Sequence, residues 1–210
     1  MAVTTPTPGS AAGPRPLESE KAKRIVDAMR VSVAARGSAG STFDHVAREA
    51  GVSRGLLHYY FGTKERLLVE VVRRDSEIRL AALAAALGDA RTADDFIDAL
   101  VRSLEELVER DPGFVVLMFE LFTLSRRNEE IAGELAALCR QTRVDLAASL
   151  KAKQDEGVLR LGDEPEAVAG VLFALADGLA LRFLIEPDLD PRPTLGAAVA
   201  AARTLIADPA

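Results

Sequence analysis

Apolar residues recur at helical spacing along nearly the whole chain from Glu18 onward, and no segment alternates regularly between apolar and polar residues. The pattern therefore predicts an all-α protein. The first helix is predicted from Glu18 to about Arg36, because Ile25 and Met29 fall on one face of it. Gly37 suits the left-handed position that commonly ends a helix.

Two short helices follow, separated by three residues. Ser41 and Asp44 form an S-x-x-D capping signature at the start of the second helix, which is predicted to end at Gly51. Ser53 is expected to cap a third helix that begins at Arg54. This spacing is that of a helix-turn-helix, whose second helix enters the major groove of DNA.

The remaining chain is predicted to form a bundle of longer helices. Capping residues or prolines predict the helix starts, which lie at Thr63, Thr92, Asp111, Asn128, Glu164 and Pro193. The helices near residues 165–186 and 193–206 are rich in Ala and Gly, which let helix backbones approach closely. We expect this pair to form the interface of a homodimer; an ordinary hairpin within one chain is the alternative.

Charge is distributed unevenly along the chain. The net charge is −6, with +4 over residues 1–75 and −10 over the rest, so the first third is the better surface for a polyanion. Residues 1–17 contain few apolar side chains and are expected to be a disordered tail. Residues 18–64 and 65–210 are expected to form two domains.

Few residues are available for a metal site or a disulfide. One cysteine and two histidines exclude an intramolecular disulfide framework and predict no metal site and no cofactor. The apolar run from Ala167 to Ala176 is shorter than the roughly 18 residues that span a membrane. The start of the chain also lacks the pattern of a secretion signal. We therefore expect a cytoplasmic protein without a membrane segment.

Both tyrosines of the chain lie on the predicted third helix. Tyr59 and Tyr60 are adjacent and cannot share one buried face, so at least one should point outward. Leu57 and Phe61 are predicted to pack in the core.

The segment STFDHVAREAGVSRGLLHYYFGTKERLL, residues 41–68, resembles the TetR family of bacterial regulators. The resemblance is carried, in order and spacing, by Phe43, Val46, Ala47, Ala50, Gly51, Val52, Ser53, Leu57, Tyr59, Phe61, Lys64, Leu67 and Leu68. It implies an N-terminal three-helix DNA-binding unit followed by a helical ligand-binding and dimerisation bundle. It also implies a homodimeric repressor that binds a palindromic operator and is released by a small molecule, which the sequence does not identify.

The resemblance also implies which residues contact DNA: Thr42, Ser53, Arg54, Gly55, His58, Tyr59, Tyr60 and Lys64. Arg54 can read guanine with a bidentate fork, whereas Lys64 should mainly bind phosphate. His58 stands where the family often has a tyrosine.

A ligand pocket is expected inside the C-terminal bundle. Its predicted apolar walls are Phe114, Met118, Phe119, Phe122 and Phe173, all of which could equally be plain core residues. Glu120 is the only charge in its helix and is the predicted polar contact for a cationic or hydroxyl-bearing effector.

The sequence also bears on two other classes of protein, enzymes and protein-binding adaptors. The sequence shows no motif that places a nucleophile beside a general base, and it has no Gly-rich phosphate loop. An enzyme is therefore not expected. A helical adaptor that binds a protein partner, or a TetR-like activator, stays open.

Overall fold

A computed structural model describes residues 19–208, which form nine α-helices and one pair of two-residue strands. The helices are α1 Glu20–Gly40, α2 Phe43–Ala50, α3 Arg54–Tyr60, α4 Lys64–Asp89, α5 Ala93–Arg110, α6 Pro112–Ser125, α7 Glu129–Asp155, α8 Pro165–Ile185 and α9 Pro191–Leu205. The predicted all-α fold is confirmed. The predicted tail, residues 1–17, lies outside the described residues.

The helix-turn-helix forms with the predicted spacing. Gly51 ends α2 in the left-handed conformation, with φ +63°, and three residues separate α2 from α3. Regular geometry in α1 breaks at Gly37, whose φ is +70°, although helical residues continue to Gly40. The glycine thus terminates the straight part of α1 where the pattern predicted.

The cap of α2 differs from the prediction. Thr42, rather than Ser41, caps the helix, and its hydroxyl accepts a hydrogen bond from the His45 amide at 3.3 Å. The Ser41 side chain is buried and used elsewhere: its Oγ accepts from Ser32 Oγ and donates to the Gly37 carbonyl, both at 2.8 Å. Ser53 occupies the capping position of α3 but makes no side-chain capping bond.

Most predicted caps of the bundle are confirmed. Thr63, Asp111 and Asn128 cap α4, α6 and α7, and Thr92 forms a complete capping box with Asp95. One helix start was wrong: α9 begins at Pro191, capped by Asp190, and not at Pro193.

The strand pair was not predicted. β1, Arg160–Leu161, pairs antiparallel with β2, Ile206–Ala207. It ties the loop before α8 to the segment after α9.

Two apolar clusters hold the helices together. The first packs α1, α2 and α3 against the start of α4 and includes Leu121 of α6 and Ile131 of α7. It contains Leu57 and Phe61, which confirms their predicted core role. The second cluster joins α5, α7, α8 and α9. Helix α4 crosses the predicted domain boundary without interruption and contributes to both clusters.

Helix α8 leaves part of its apolar surface exposed. Over the described residues, it alone is long and apolar enough to cross a membrane by length and composition, and 22% of its most apolar window is buried. The helix extends the apolar run well beyond Ala176, because Asp177 and Arg182 interrupt it only locally. Exposed Val171 and Ile185 mark the uncovered side.

Candidate functional site

One side of α3 is exposed and carries four of the predicted DNA-binding residues. Arg54, Gly55, His58 and Tyr59 are all exposed, and we call them the α3 face. They form one surface because residues four apart lie one above the other on a helix. The opposite side of α3 is anchored in the core by Leu57, whose exposed fraction is 0%.

Contacts with neighbouring elements orient the α3 face. Arg54 Nη1 lies 3.1 Å from an oxygen of Asp44 on α2, in an exposed ion pair that contributes little stability. The His58 ring packs edge-on against Phe43 at 4.9 Å, and its Nδ1 lies 3.1 Å from the Gly62 carbonyl oxygen. Contacts with α2 therefore position the α3 face. The ion pair of Arg54 with Asp44 is exposed and can be replaced by another partner.

Thr42, Ser53 and Lys64 flank the α3 face. Thr42 and Ser53 are exposed at the starts of α2 and α3, and Lys64 is partly exposed in the first turn of α4. Helix starts present free backbone N–H groups, which favour anions such as phosphate. Within residues 19–208, Lys64 makes no ion pair, so its charge is open to an external anion.

The two adjacent tyrosines point to different environments. The Tyr59 side chain is 47% exposed, which confirms that at least one of the pair points outward. Tyr60 is half-buried, packs against the first apolar cluster and accepts a hydrogen bond from Ser19 Oγ at 3.0 Å. The structure thus brings Tyr59, and not Tyr60, onto the α3 face.

A cavity of about 450 Å³ lies inside the bundle, between α4, α5, α6, α7, α8 and α9. Its wall includes all five predicted apolar residues: Phe114, Met118, Phe119, Phe122 and Phe173. Leucines and valines from α5 and α9 complete a wall that is mostly apolar. This composition is typical of sites for organic ligands.

Glu120 does not line the cavity, contrary to the prediction. It follows Met118 by two residues, which places it about 200° around α6 from that cavity-lining side chain. Its Oε2 is buried and has no hydrogen-bond partner among the described residues. The acid on the cavity wall is instead Asp177, one turn after Phe173 on the same face of α8.

The electrostatics of the cavity centre on Asp177. Asp177 is exposed and lines the cavity, and desolvation by the surrounding protein raises its pKa above the ordinary 3.8. Arg79 and Arg143 also line the wall. In the described part of the chain Asp177 has no ion-pair partner, which leaves a carboxylate to meet a cation.

Cys139 shares this wall. Desolvation, reinforced by the nearby charge of Asp177, raises the pKa of its thiol above 9.0. A raised pKa keeps the thiol protonated at neutral pH and therefore poorly reactive. The geometry favours a packing role for Cys139 over a redox role. Between residues 19 and 208 there is also no cluster of three His, Cys, Asp or Glu side chains that could hold a metal ion.

Comparisons with known proteins agree with this arrangement. Residues 25–71 match the family described as bacterial regulatory proteins, tetR family, and residues 93–208 match the BetI-type transcriptional repressor C-terminal family. The HTH-type transcriptional regulator BetI of Rhizobium meliloti (strain 1021) is 30% identical over 172 residues, 79% of each chain. The chain belongs to the TetR family. It is a DNA-binding transcriptional regulator and not an enzyme.

Solved structures show the same fold across nearly the whole chain. The multidrug binding protein EbrR, solved with imidazole, is 28% identical with a TM-score of 0.67, covering 92% of this chain and 93% of its own. A transcriptional regulator from Saccharomonospora viridis, solved with choline, is 21% identical with a TM-score of 0.70, covering 89% of this chain and 97% of its own. The match over residues 25–71 includes the α3 face, and the match over residues 93–208 includes most of the residues that line the cavity.

The unpaired state of Asp177 predicts a pH-dependent stability effect. An aspartate whose pKa is higher in the folded than in the unfolded state costs stability when it is ionised, and this cost disappears as pH falls through the raised pKa. Asp177→Asn should therefore raise the Tm at pH 7, and the gain over the parent protein should shrink as the pH is lowered toward 3.8, the ordinary pKa of the carboxyl. Thermal unfolding followed by circular dichroism across this pH range measures this. A variant less stable than the parent at pH 7 would show that Asp177 has a stabilising partner.

Proposed function

We propose that the protein is a homodimeric repressor that binds a palindromic operator and releases it when an organic effector fills the cavity. The observation that supports this most directly is the path of α4. This single helix begins at Lys64 beside the α3 face and contributes Ser76, Arg79 and Leu83 to the cavity wall. Movement at the cavity can thus reach the DNA-binding unit through one rigid element.

Binding to DNA would use two α3 faces, one from each protomer. In helix-turn-helix dimers the recognition helices are separated by about 34–36 Å, one turn of DNA, or by a multiple of it. Arg54 would leave its ion pair with Asp44 and donate hydrogen bonds to the edge of a guanine base. Phosphate groups would be bound by Lys64, Thr42 and Ser53. Tyr59 would add a hydroxyl and a ring next to the backbone, whereas Tyr60 would support α3 from inside.

The dimer would form through the exposed sides of α8 and α9. Apolar or small exposed residues lie along one side of each helix, interrupted on α8 by the exposed Arg182: Ala167, Val171, Ala174, Gly178 and Ile185 on α8, and Gly196, Ala197, Ala200 and Ala201 on α9. We call this surface the α8–α9 face. Covering it with the same face of a second copy buries the apolar area that α8 leaves exposed, as a four-helix bundle does.

The effector would be an organic cation with an apolar body. The cavity combines aromatic rings from α6 and α8 with the carboxylate of Asp177, and aromatic faces and carboxylates both attract cations. EbrR, the solved relative with 28% identity, holds imidazole, an organic base. The structure solved with choline offers a simple cation as a probe.

These assignments imply a regulator acting in the cytoplasm, where DNA is accessible. Two other functions would be revealed by the same experiments. An adaptor that uses α3 for a protein partner would not bind duplex DNA, and an activator would bind its operator yet raise transcription.

Two substitutions in the DNA-binding unit should have different effects on operator binding. Lys64→Ala should weaken binding about equally for all sequences and reduce the slope of log K against log salt by about one, because one phosphate contact is lost. Arg54→Ala should relax discrimination at one base position, by about 1–3 kcal/mol. Fluorescence anisotropy across a salt series, on fragments selected from the source genome, measures both effects.

Lys151→Ala is the matched control, because Lys151 is an exposed lysine on the bundle helix α7. It should leave affinity and salt slope unchanged. Binding to duplex DNA without salt dependence, or no binding at all, would favour the adaptor.

A charge on the α8–α9 face should separate the protomers. Val171→Asp should shift the protein toward monomer in analytical ultracentrifugation, because dimerisation would bury an unpaired carboxylate. Val144→Asp is the control, since Val144 on α7 is also 46% exposed, like Val171, but lies outside the α8–α9 face. Equal sedimentation of both variants and the parent would count against this interface.

Charge on the effector should decide whether it acts. Choline should lower operator affinity, whereas 3,3-dimethylbutan-1-ol, its uncharged isostere, should have little effect at the same concentration, because only the cation pairs with Asp177. The difference between the two compounds should largely vanish in Asp177→Asn. Equal effects of both compounds on the parent protein would refute cation recognition while leaving the DNA-binding assignment intact.

A further inference from the structure

One carboxylate, Asp111, stands between the cavity and the DNA-binding unit. It occupies the N-cap of α6, where its Oδ1 accepts a hydrogen bond from the Phe114 amide at 3.3 Å. Its Oδ2 lies 2.6 Å from Arg79 Nη2 and 3.4 Å from Arg30 Nη2. Asp111 therefore joins the start of α6, a residue of α4 and a residue of α1.

Arg79 is the member of this group that lines the cavity. Its guanidinium carbon lies 4.8 Å from the centre of the Phe114 ring, and both residues form part of the cavity wall. Its Nε is buried without a hydrogen-bond partner among the described residues. Arg79 is thus held mainly by Asp111 and by the ring of Phe114, and that ring forms part of the cavity wall.

Arg30 is the member that belongs to the DNA-binding unit. It lies on α1, and its Nε binds Asp75 of α4 at 2.9 Å while Nη2 approaches Asp111. Asp75 is 9% exposed, so its charge depends on Arg30 for compensation. The backbone of α1 at Ala34 also lies close to Gly113 of α6. These polar contacts add to the apolar packing that holds α1 against α4 and α6.

We propose that Asp111, shared by Arg79 and Arg30, couples occupancy of the cavity to the position of the DNA-binding unit. An occupant that packs on the Phe114 ring displaces the Arg79 guanidinium, and a cationic occupant also repels it. When the contact with Arg79 is lost, Asp111 keeps an ion pair with Arg30 only. This changes the contacts that position α1 against α4 and α6. Arg79 and Asp111 are positioning residues and contact no DNA. The inference rests on the proposed release by an effector.

The test is a double-mutant cycle on operator binding by the 210-residue protein. Arg79→Gln and Asp111→Asn should each lower operator affinity about fivefold, near the lower end of typical allosteric couplings. The double variant should lose no more than Asp111→Asn alone, because both changes break the same contact. Asn can still cap α6, so Asp111→Asn should preserve the fold, which thermal unfolding checks.

Arg203→Gln provides the matched control. Arg203 pairs with Asp94 at 3.0 Å, an ion pair between α9 and α5 that does not contact α1. This variant should bind the operator like the parent. Additive losses in the double variant, or affinities equal to that of Arg203→Gln, would overturn the proposal.

A second readout separates this coupling from the proposed function itself. The ratio of operator affinities without and with choline should fall toward one in Arg79→Gln and Asp111→Asn. If the parent protein binds the operator and choline does not change its affinity, the proposed class of effector is wrong. The double-mutant cycle on operator affinity then still tests whether Arg79 and Asp111 are coupled. If the parent protein binds no operator, the proposed function fails and the coupling fails with it.

Discussion

Helix α4 runs without a break from the helix-turn-helix to the cavity. The helix has 26 residues, about 39 Å at 1.5 Å per residue. Its first turns bury Leu67, Leu68, Val71 and Val72 in the cluster that includes the helix-turn-helix, and its later turns form one wall of the cavity. Because a packed helix moves as a rigid body, the two ends cannot move independently. A tilt at the cavity therefore changes the position of the start of α4, next to α3.

Several features that support function lower the stability of the isolated chain. Asp177 presents a desolvated carboxylate to the cavity, although Asn would be less costly there at neutral pH. Helix α8 leaves apolar side chains exposed on the side opposite the cavity. In the proposed function each of these costs is offset by a partner: a cation would pair with Asp177, and a second protomer would cover α8.

Much of the fold could be predicted because its signals are local. Caps at Thr63, Thr92 and Asn128 act within four residues, and the left-handed glycine at position 51 needs no information from elsewhere. The cap of α2 was assigned to the wrong residue because Ser41 and Thr42 can both cap. Burial of Ser41 against Ser32, nine residues away, decided between them.

The site was harder to predict because it depends on distant residues. Helical periodicity selected the aromatic residues of the cavity, but it could not show which side of α6 faces inward, and Glu120 was chosen instead of Asp177. Asp111 is 81 residues from Arg30, and β1 pairs with a segment near the end of the chain. The difference between Tyr59 and Tyr60 likewise became visible only when α1 was in place. Contacts of this kind leave no spacing signal in the sequence.

In the proposed complex, two symmetry-related α3 helices read one operator. Hydroxyl-radical footprinting of the selected operator tests this arrangement, because it maps the protected backbone at single-nucleotide resolution. We expect two symmetric protected patches on one side of the duplex, with centres one helical turn or a multiple of a turn apart. A single patch, or protection without two-fold symmetry, would show that the protein does not bind in this way.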